Sequence, residues 1–186
     1  MKLKIGVLGC SSIARKSLIP AIIESDNFEL CGLGSRTENK AKSWADEFGG
    51  NGYSYQGLLD SEVDVIYVSL PVGLHYEWGK RVLESGKHLL MEKLFTETYT
   101  QAKELFDIAK KSNLICAEAL MYEYHPVQSQ LNEIISSLGN IKVIDAHLGC
   151  PHFHDNDIRY SKELGGGAIT DYLVYPLSFV FRMLGK

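Results

Sequence analysis

A doubly wound parallel α/β sheet is the fold class this sequence predicts, and three observations predict it. The apolar run Lys4-Ile5-Gly6-Val7-Leu8 ends in a tight turn at Gly9 and opens a helix. Strand-like apolar runs then alternate with amphipathic helices as far as Ala117, the pattern of right-handed strand–helix–strand units laid on one sheet. The run Asp64-Val65-Ile66-Tyr67-Val68-Ser69-Leu70 is nearly all apolar, as a strand covered on both faces must be. Pro71 stops it at the carboxyl edge of the sheet, where ligands collect in this architecture.

The first turn reads as a dinucleotide-binding, Rossmann-type fingerprint. Gly9 makes the tight turn and Ala14 lets helix pack closely on strand, while Ser11 stands where a second glycine normally admits the pyrophosphate. A serine is small and its hydroxyl can itself donate to a phosphate oxygen. The backbone N–H groups of Cys10, Ser12 and Ile13 and the helix dipole complete the anion site. The lesser alternative for the motif alone is an ordinary strand-to-helix turn with no ligand.

Ile13 to Lys16 and then Pro20 to Ser25 read as helix, with Pro20 opening a new turn where its missing N–H does no harm. Phe28 to Gly34 is the second strand. An Asp or Glu at its end would accept from both ribose hydroxyls and select NAD. Ser35-Arg36 stands there instead, so nothing repels a 2′-phosphate and a guanidinium is available to pair with one. This predicts NADP(H) in preference to NAD(H); the plain alternative is a surface arginine at a strand end.

Glu38 to Gly49 is an amphipathic helix closed by Gly49-Gly50. After the third strand, which brings Leu70 and Pro71 to the cofactor edge, Leu74 to Ser85 is helix. His88 to Met91 is a fourth strand, Thr98 to Lys111 a helix, and Leu114 to Ala117 a fifth strand. Beyond Glu118 the rhythm changes. His125-Pro126 precedes a helix from Val127 to Leu138, Ile141 to Leu148 alternates like a half-exposed strand, and Gly165-Gly166-Gly167 opens a last apolar stretch, with a helix from Tyr172 to Leu184. The expected division is a nucleotide-binding domain over residues 1–120 and the beginning of an α+β substrate domain over 121–186. A lone strand from Ile141 has no partners to satisfy its backbone, so the second domain is expected to be incomplete.

Composition narrows the function. The 186 residues are 45% hydrophobic and 23% charged, enough apolar matter for a core. A net charge of −4 offers no basic field to nucleic acid or anionic lipid, so a small molecule is the expected partner. Four scattered cysteines suit a reducing cytoplasm rather than a disulfide framework, and no signal peptide or membrane span is legible.

At Glu92-Lys93 the ordered motifs complete a pattern: G-x-x-G-x-x-x-I-A, S-R, D-V-I-Y-V-S-x-P-x-x-x-H, G-K-H-x-x-x-E-K, M-Y-x-x-H-P and G-G-G-A-x-x-D-x-x-x-Y-P. The sequence resembles the Gfo/Idh/MocA family of NAD(P)-dependent sugar oxidoreductases along essentially its whole length. It is most similar to branches that use NADP on keto-sugars and aldoses. The resemblance implies that Lys93 is the catalytic lysine, that Tyr175 is the acid/base residue, and that Asp171, one helical turn earlier, faces the same cleft. It also implies that His75 and Glu92 line the nicotinamide pocket, with His125 near the substrate. The implied reaction moves a hydride to or from a sugar or nucleotide-sugar carbinol or ketone. An ammonium would favour the tyrosine's phenolate and polarise the substrate oxygen. Family members run on for a further domain that completes the substrate site and usually forms a homo-oligomer interface.

The departures from the family pattern are specific. Ser11 replaces a glycine, Val72 an asparagine, Leu94 the proline of E-K-P, Glu123 an arginine, and Leu173 a glycine. A cis peptide before leucine costs about 3 kcal/mol, which predicts a trans bond at Lys93-Leu94 and a displaced lysine. His152-Phe153-His154-Asp155 offers two possible metal ligands, but without a third it reads as a solvated loop and no metal is expected. These losses keep a second function in play, a catalytically impaired, truncated module that only binds NADP(H).

Overall fold

The computed structural model describes residues 2–185, the side chain of Asn132 excepted. It forms two compact units, one ending at Ala119 and the other beginning at Leu120.

In the first unit six strands form one sheet: β1 (Leu3–Leu8), β2 (Phe28–Gly34), β3 (Asn51–Tyr53), β4 (Val65–Val68), β5 (His88–Glu92) and β6 (Cys116–Ala119). Their order is β3-β2-β1-β4-β5-β6 and every neighbouring pair is parallel. The chain winds outward from β1 in one direction, then returns to β4 on its other side. The ends of β1 and β4 therefore flank the switch point where a crevice opens in such sheets. The predicted doubly wound sheet is the one observed.

Alternation along the strands sorts the core into two layers. Ile5, Val7, Leu33 and Tyr67 face α1 (Ile19–Glu24) and α2 (Glu38–Phe48), packing on Ile19, Ile22 and Trp44. Leu8, Ile66, Val68, Leu89 and Met91 face the opposite way. They pack on Leu58 of α3 (Tyr55–Leu59), Val82 and Leu83 of α4 (His75–Glu84), and Leu105 of α5 (Tyr99–Lys111). Leu58 lies so close to the sheet that a Cβ on Gly6 or Gly32 would come within 2.8 or 2.5 Å of its Cδ1.

Several elements differ from the sequence reading, each for a local reason. The first helix is continuous from Ser12, with a π-helical stretch at Ala14–Leu18 and Pro20 in the first turn of α1. Pro20 has no N–H to give the preceding turn, and wider winding accommodates that loss. The segment β3–α3 had no sequence signal because its pieces, three and five residues long, are too short for a periodic pattern to repeat. Ser54 fixes the start of α3, its Oγ accepting from Gly57 N–H at 3.0 Å. The last strand, expected over Leu114–Ala117, is β6 at Cys116–Ala119. The chain leaves α5 through Asn113 in the left-handed region, and Leu114 N–H still bonds back to Ala109.

In the second unit α6 (Val127–Leu138) is present as expected, but the strand expected over Ile141–Leu148 is not. Residues 141–154 carry no regular structure, and Val143 is 82% exposed. A strand needs a neighbour to bond, and none is offered among the described residues. The expected helix over Tyr172–Leu184 is divided into α7 (Ala168–Tyr172) and α8 (Val174–Met183). Pro176, without an N–H, cannot bond the carbonyl one turn back, so the helix restarts there.

Candidate functional site

The carboxyl ends of β1, β2, β4 and β5 bring most of the expected cofactor residues to one edge of the first unit. Gly9 sits at φ +109°, its N–H donating to Gly34 O at 3.0 Å and its carbonyl accepting from Ser69 Oγ at 2.7 Å. A Cβ there would meet Ser69 O and Leu70 Cδ2 at 2.9 Å, so both backbone angle and space demand glycine. Ser11 caps the helix, Oγ accepting from Ala14 N–H at 3.1 Å, which leaves its own hydroxyl proton to donate. Ser12 and Ile13 are exposed in the first helical turn, where N–H groups have no intrahelical acceptor.

At the end of β2, Ser35 is buried and its N–H donates to Tyr53 O at 3.0 Å, while Arg36 is exposed. Lys40, one helical turn beyond Arg36, donates from Nζ to Cys10 O at 3.0 Å and so reaches back to the glycine turn. Burial pushes the Cys10 thiol up, with the Lys40 charge and the Ser35 hydroxyl opposing it. Burial likewise raises the Tyr55 phenol, against the pull of the Arg36 guanidinium. The Ser35 hydroxyl with the cations Arg36 and Lys40, and no carboxylate at the strand end, is a donor set that fits a 2′-phosphorylated ribose. The glycine turn and open helix start fit a pyrophosphate.

After β4, Leu70 and Pro71 are half-buried and lead through one 3-10 turn into α4, whose first residue is His75. The His75 ring is 1% exposed, with Nδ1 2.8 Å from Leu94 O and Nε2 2.7 Å from Leu70 O. It therefore lies behind the pocket wall. Glu92, at the end of β5, is also buried; it accepts from the Tyr67 hydroxyl, and its other oxygen accepts from Lys93 N–H at 3.3 Å. The Tyr67 phenol is driven up chiefly by burial and then by the Glu92 charge. Lys93 is half-buried, and the Lys93-Leu94 peptide is cis, which corrects the expectation of a trans bond. Hydrogen bonds hold the segment on both sides: His75 engages Leu94 O, and Phe95 N–H donates to Glu118 Oε1 at 2.7 Å. The Glu118 carboxyl is raised by burial above all, and also by Glu92, while the Phe95 N–H and the Lys93 ammonium lower it.

The second unit holds the remaining residues. Tyr175 is half-buried on α8, its ring 5.9 Å from that of Tyr122, whose hydroxyl is 2.6 Å from Ser178 Oγ. Asp171 lies on the separate helix α7 and accepts from Arg159 Nε at 2.8 Å; Arg159 also holds Asp157. Glu123, standing where the family has arginine, pairs with Arg182. His125 is exposed, its Nδ1 accepting from Val127 N–H at 3.2 Å. His152 and Asp155 are exposed, and the described residues hold no group of three or more metal-ligating side chains. No described helix is long and apolar enough to cross a membrane.

Sequence reasoning missed Lys40, Tyr67, Glu118 and Arg159. Two of them carried a signal: a phenol inside the aliphatic run Val65-Ile66-Tyr67-Val68 needs a buried partner, and Lys40 follows Arg36 at helical spacing.

Residues 3–120 match an oxidoreductase family with an NAD-binding Rossmann fold, Gfo/Idh/MocA. Among curated relatives, a dTDP-3,4-didehydro-2,6-dideoxy-alpha-D-glucose 3-reductase of Streptomyces violaceoruber is 35% identical over 99% of this chain and 55% of its own length. An NADP(+)-dependent D-xylose 1-dehydrogenase of Haloferax volcanii is 34% identical over 97% of this chain and 57% of its own. Among solved structures, a 3-ketoreductase of Actinomadura kijaniata, in complex with NADP and TDP-benzene, superposes with a TM-score of 0.93 at 35% identity, covering 99% of this chain and 58% of that one. The chain thus spans little more than half the length of these relatives. That ketoreductase has also been solved with one tyrosine changed to phenylalanine and with one lysine changed to alanine.

Proposed function

The chain belongs to the Gfo/Idh/MocA oxidoreductase family, and on that premise we propose that it binds NADP(H) in preference to NAD(H) and serves hydride transfer at a carbinol or ketone of a sugar or nucleotide-sugar. The observation that carries the cofactor choice is the end of β2, where Ser35-Arg36 stands in place of a carboxylate and a second cation, Lys40, is bonded to the glycine turn itself. Gly9, Cys10, Ser11, Ser12 and Ile13 form the pyrophosphate cradle, and Leu70 and Pro71 the wall across the crevice. His75 and Glu92 support that wall from behind.

The bound cofactor would supply or accept the hydride. Lys93 would present its ammonium to the substrate oxygen, where negative charge develops, and Tyr175 would exchange the proton of that oxygen. Asp171 would act through its pairing with Arg159, which orders the approach to α8. Support comes from relatives named as a dTDP-sugar 3-reductase and an NADP(+)-dependent xylose dehydrogenase.

Fluorescence titration with NADPH and NADH tests the cofactor choice: NADPH is expected to bind the tighter by at least tenfold, and equal affinities would overturn it. Turnover on keto- and aldo-sugars then separates the enzyme from a module that only binds. The residue roles predict that Tyr175→Phe and Lys93→Ala abolish turnover while the NADPH dissociation constant stays within about twofold. Full turnover in either variant removes that residue from the chemistry.

A further inference from the structure

His75 occupies an arrangement that a neutral imidazole cannot satisfy. Its ring is 1% exposed, and both ring nitrogens face carbonyl oxygens, Leu94 O at 2.8 Å and Leu70 O at 2.7 Å. A neutral ring carries one N–H, so in that state one nitrogen lone pair confronts an oxygen lone pair; the imidazolium alone donates to both. Burial pulls the ring's pKa down, and so does the Lys93 ammonium, against the carbonyls of Leu94, Leu70 and Phe95, which favour the cation. The two acceptors belong to the segments that leave β4 and β5. Leu70 follows Ser69, which bonds Gly9 O, and Leu94 follows Lys93.

We propose that His75 is a positioning residue whose protonated ring clamps the Leu70 carbonyl to the Leu94 carbonyl, setting the spacing between the glycine-turn wall and the Lys93 turn, so that cofactor binds with uptake of a proton at this ring. The effect on cofactor rests on the NADP(H) reading above. The charged and titratable groups around the clamp are Lys93 and Glu92 at the end of β5, Tyr67 on β4 and Glu118 on β6, the last bonded to Phe95 N–H. On the outer side of α4, Tyr76 and Lys80 both engage Glu104 of α5. Glutamine at position 75 separates the ring from these neighbours. Its carboxamide can donate to one of the two carbonyls but not span both, and it does not titrate, so it removes the protonation step while every other group is retained.

The test has two arms on the full chain. In the first, NADPH is titrated by fluorescence from pH 5.5 to 8 against the native chain, His75→Gln and His75→Leu. The native affinity is expected to rise at least fivefold more than that of His75→Gln as the pH falls, with His75→Leu weaker than His75→Gln throughout. Parallel pH profiles for the native chain and His75→Gln would overturn the clamp. The second arm needs no cofactor. Nuclear magnetic resonance of the ring nitrogens and of the Leu70 and Leu94 carbonyl carbons is expected to show both carbonyls shifting with the ring's titration. A ring that titrates with neither carbonyl responding, or that stays neutral down to pH 5, sinks the proposal. Failure of NADPH to bind any variant would count against the cofactor reading and leave the carbonyl response to decide the clamp.

Discussion

Arg36 and Lys40 bring two positive charges to the end of β2, and Ser35 brings no negative one. A charge-assisted hydrogen bond is worth about 1.5–3 kcal/mol, so Arg36→Ala and Lys40→Ala are each expected to weaken NADPH binding by about tenfold or more and NADH binding much less. Paired titrations check this, and an equal loss for both cofactors would show that the two cations do not read the 2′-phosphate. Glu118 yields a stability prediction of definite sign. Its carboxyl is raised in the fold from an ordinary value of 4.5, so the folded chain holds the proton more tightly than the unfolded one. Its contribution is therefore most favourable at low pH and is lost as pH rises from that value through the raised one. Glu118→Gln keeps an acceptor for Phe95 N–H without the titration, so its melting temperature is expected to gain on the native one as pH rises across that range and to hold the gain above it. The residues legible in sequence were those marked by a local pattern, such as Gly9 and Ser11 at a strand-to-helix turn and the Ser35-Arg36 pair at a strand end. Tyr67 with Glu92, and Glu118 with Phe95, meet only through strand register, which no local pattern encodes.

At the scale of elements, α3 shows what a short segment contributes. Its five residues carry Leu58 onto the glycines of β1 and β2, where an added Cβ would press on its Cδ1. Leu58→Ala removes a fully buried side chain and is expected to cost about 2–5 kcal/mol of stability. Gly32→Ala overpacks the same spot at about 1–3 kcal/mol. In the double variant the two changes relieve one another, so denaturant unfolding is expected to give less than the sum; strict additivity would show that Leu58 and Gly32 are not in contact. The strong periodic segments, β4 and α5 above all, were readable because each spans a full period of apolar positions. The β3–α3 piece was not, and the strand expected at Ile141–Leu148 failed for the opposite reason. Its alternation is real, but alternation records only a readiness to pair.

For the whole molecule, the two units differ in how their apolar residues are employed. The first buries its large aliphatic residues in two layers, whereas α7 and α8 leave Ile169, Leu173, Leu177, Phe181 and Leu184 between 44% and 74% exposed. Four of these, from Leu173 on, recur at helical spacing and form one stripe. Such a stripe drives association in water. Light scattering of the chain is expected to show self-association that rises with concentration, and Leu177→Glu with Phe181→Glu is expected to reduce it without lowering the melting temperature. Unchanged scattering would show that the stripe does not mediate it. Hydrogen exchange should divide along the same line, slow in β1, β4 and β5 and fast over residues 141–154.

The peptide of Gly9 has both its polar groups committed inside the protein, one to β2 and one to Ser69. Whatever anion approaches the turn must therefore be recognised from Cys10 onward, by a segment held on one side by Gly9 and on the other by the helix that begins at Ser12. The contacts that fix the turn on the sheet are thus separate from the N–H groups of the helix start that face an anion. Substitutions at positions 10 to 13 can retune which phosphate is held while the strands beneath stay in register.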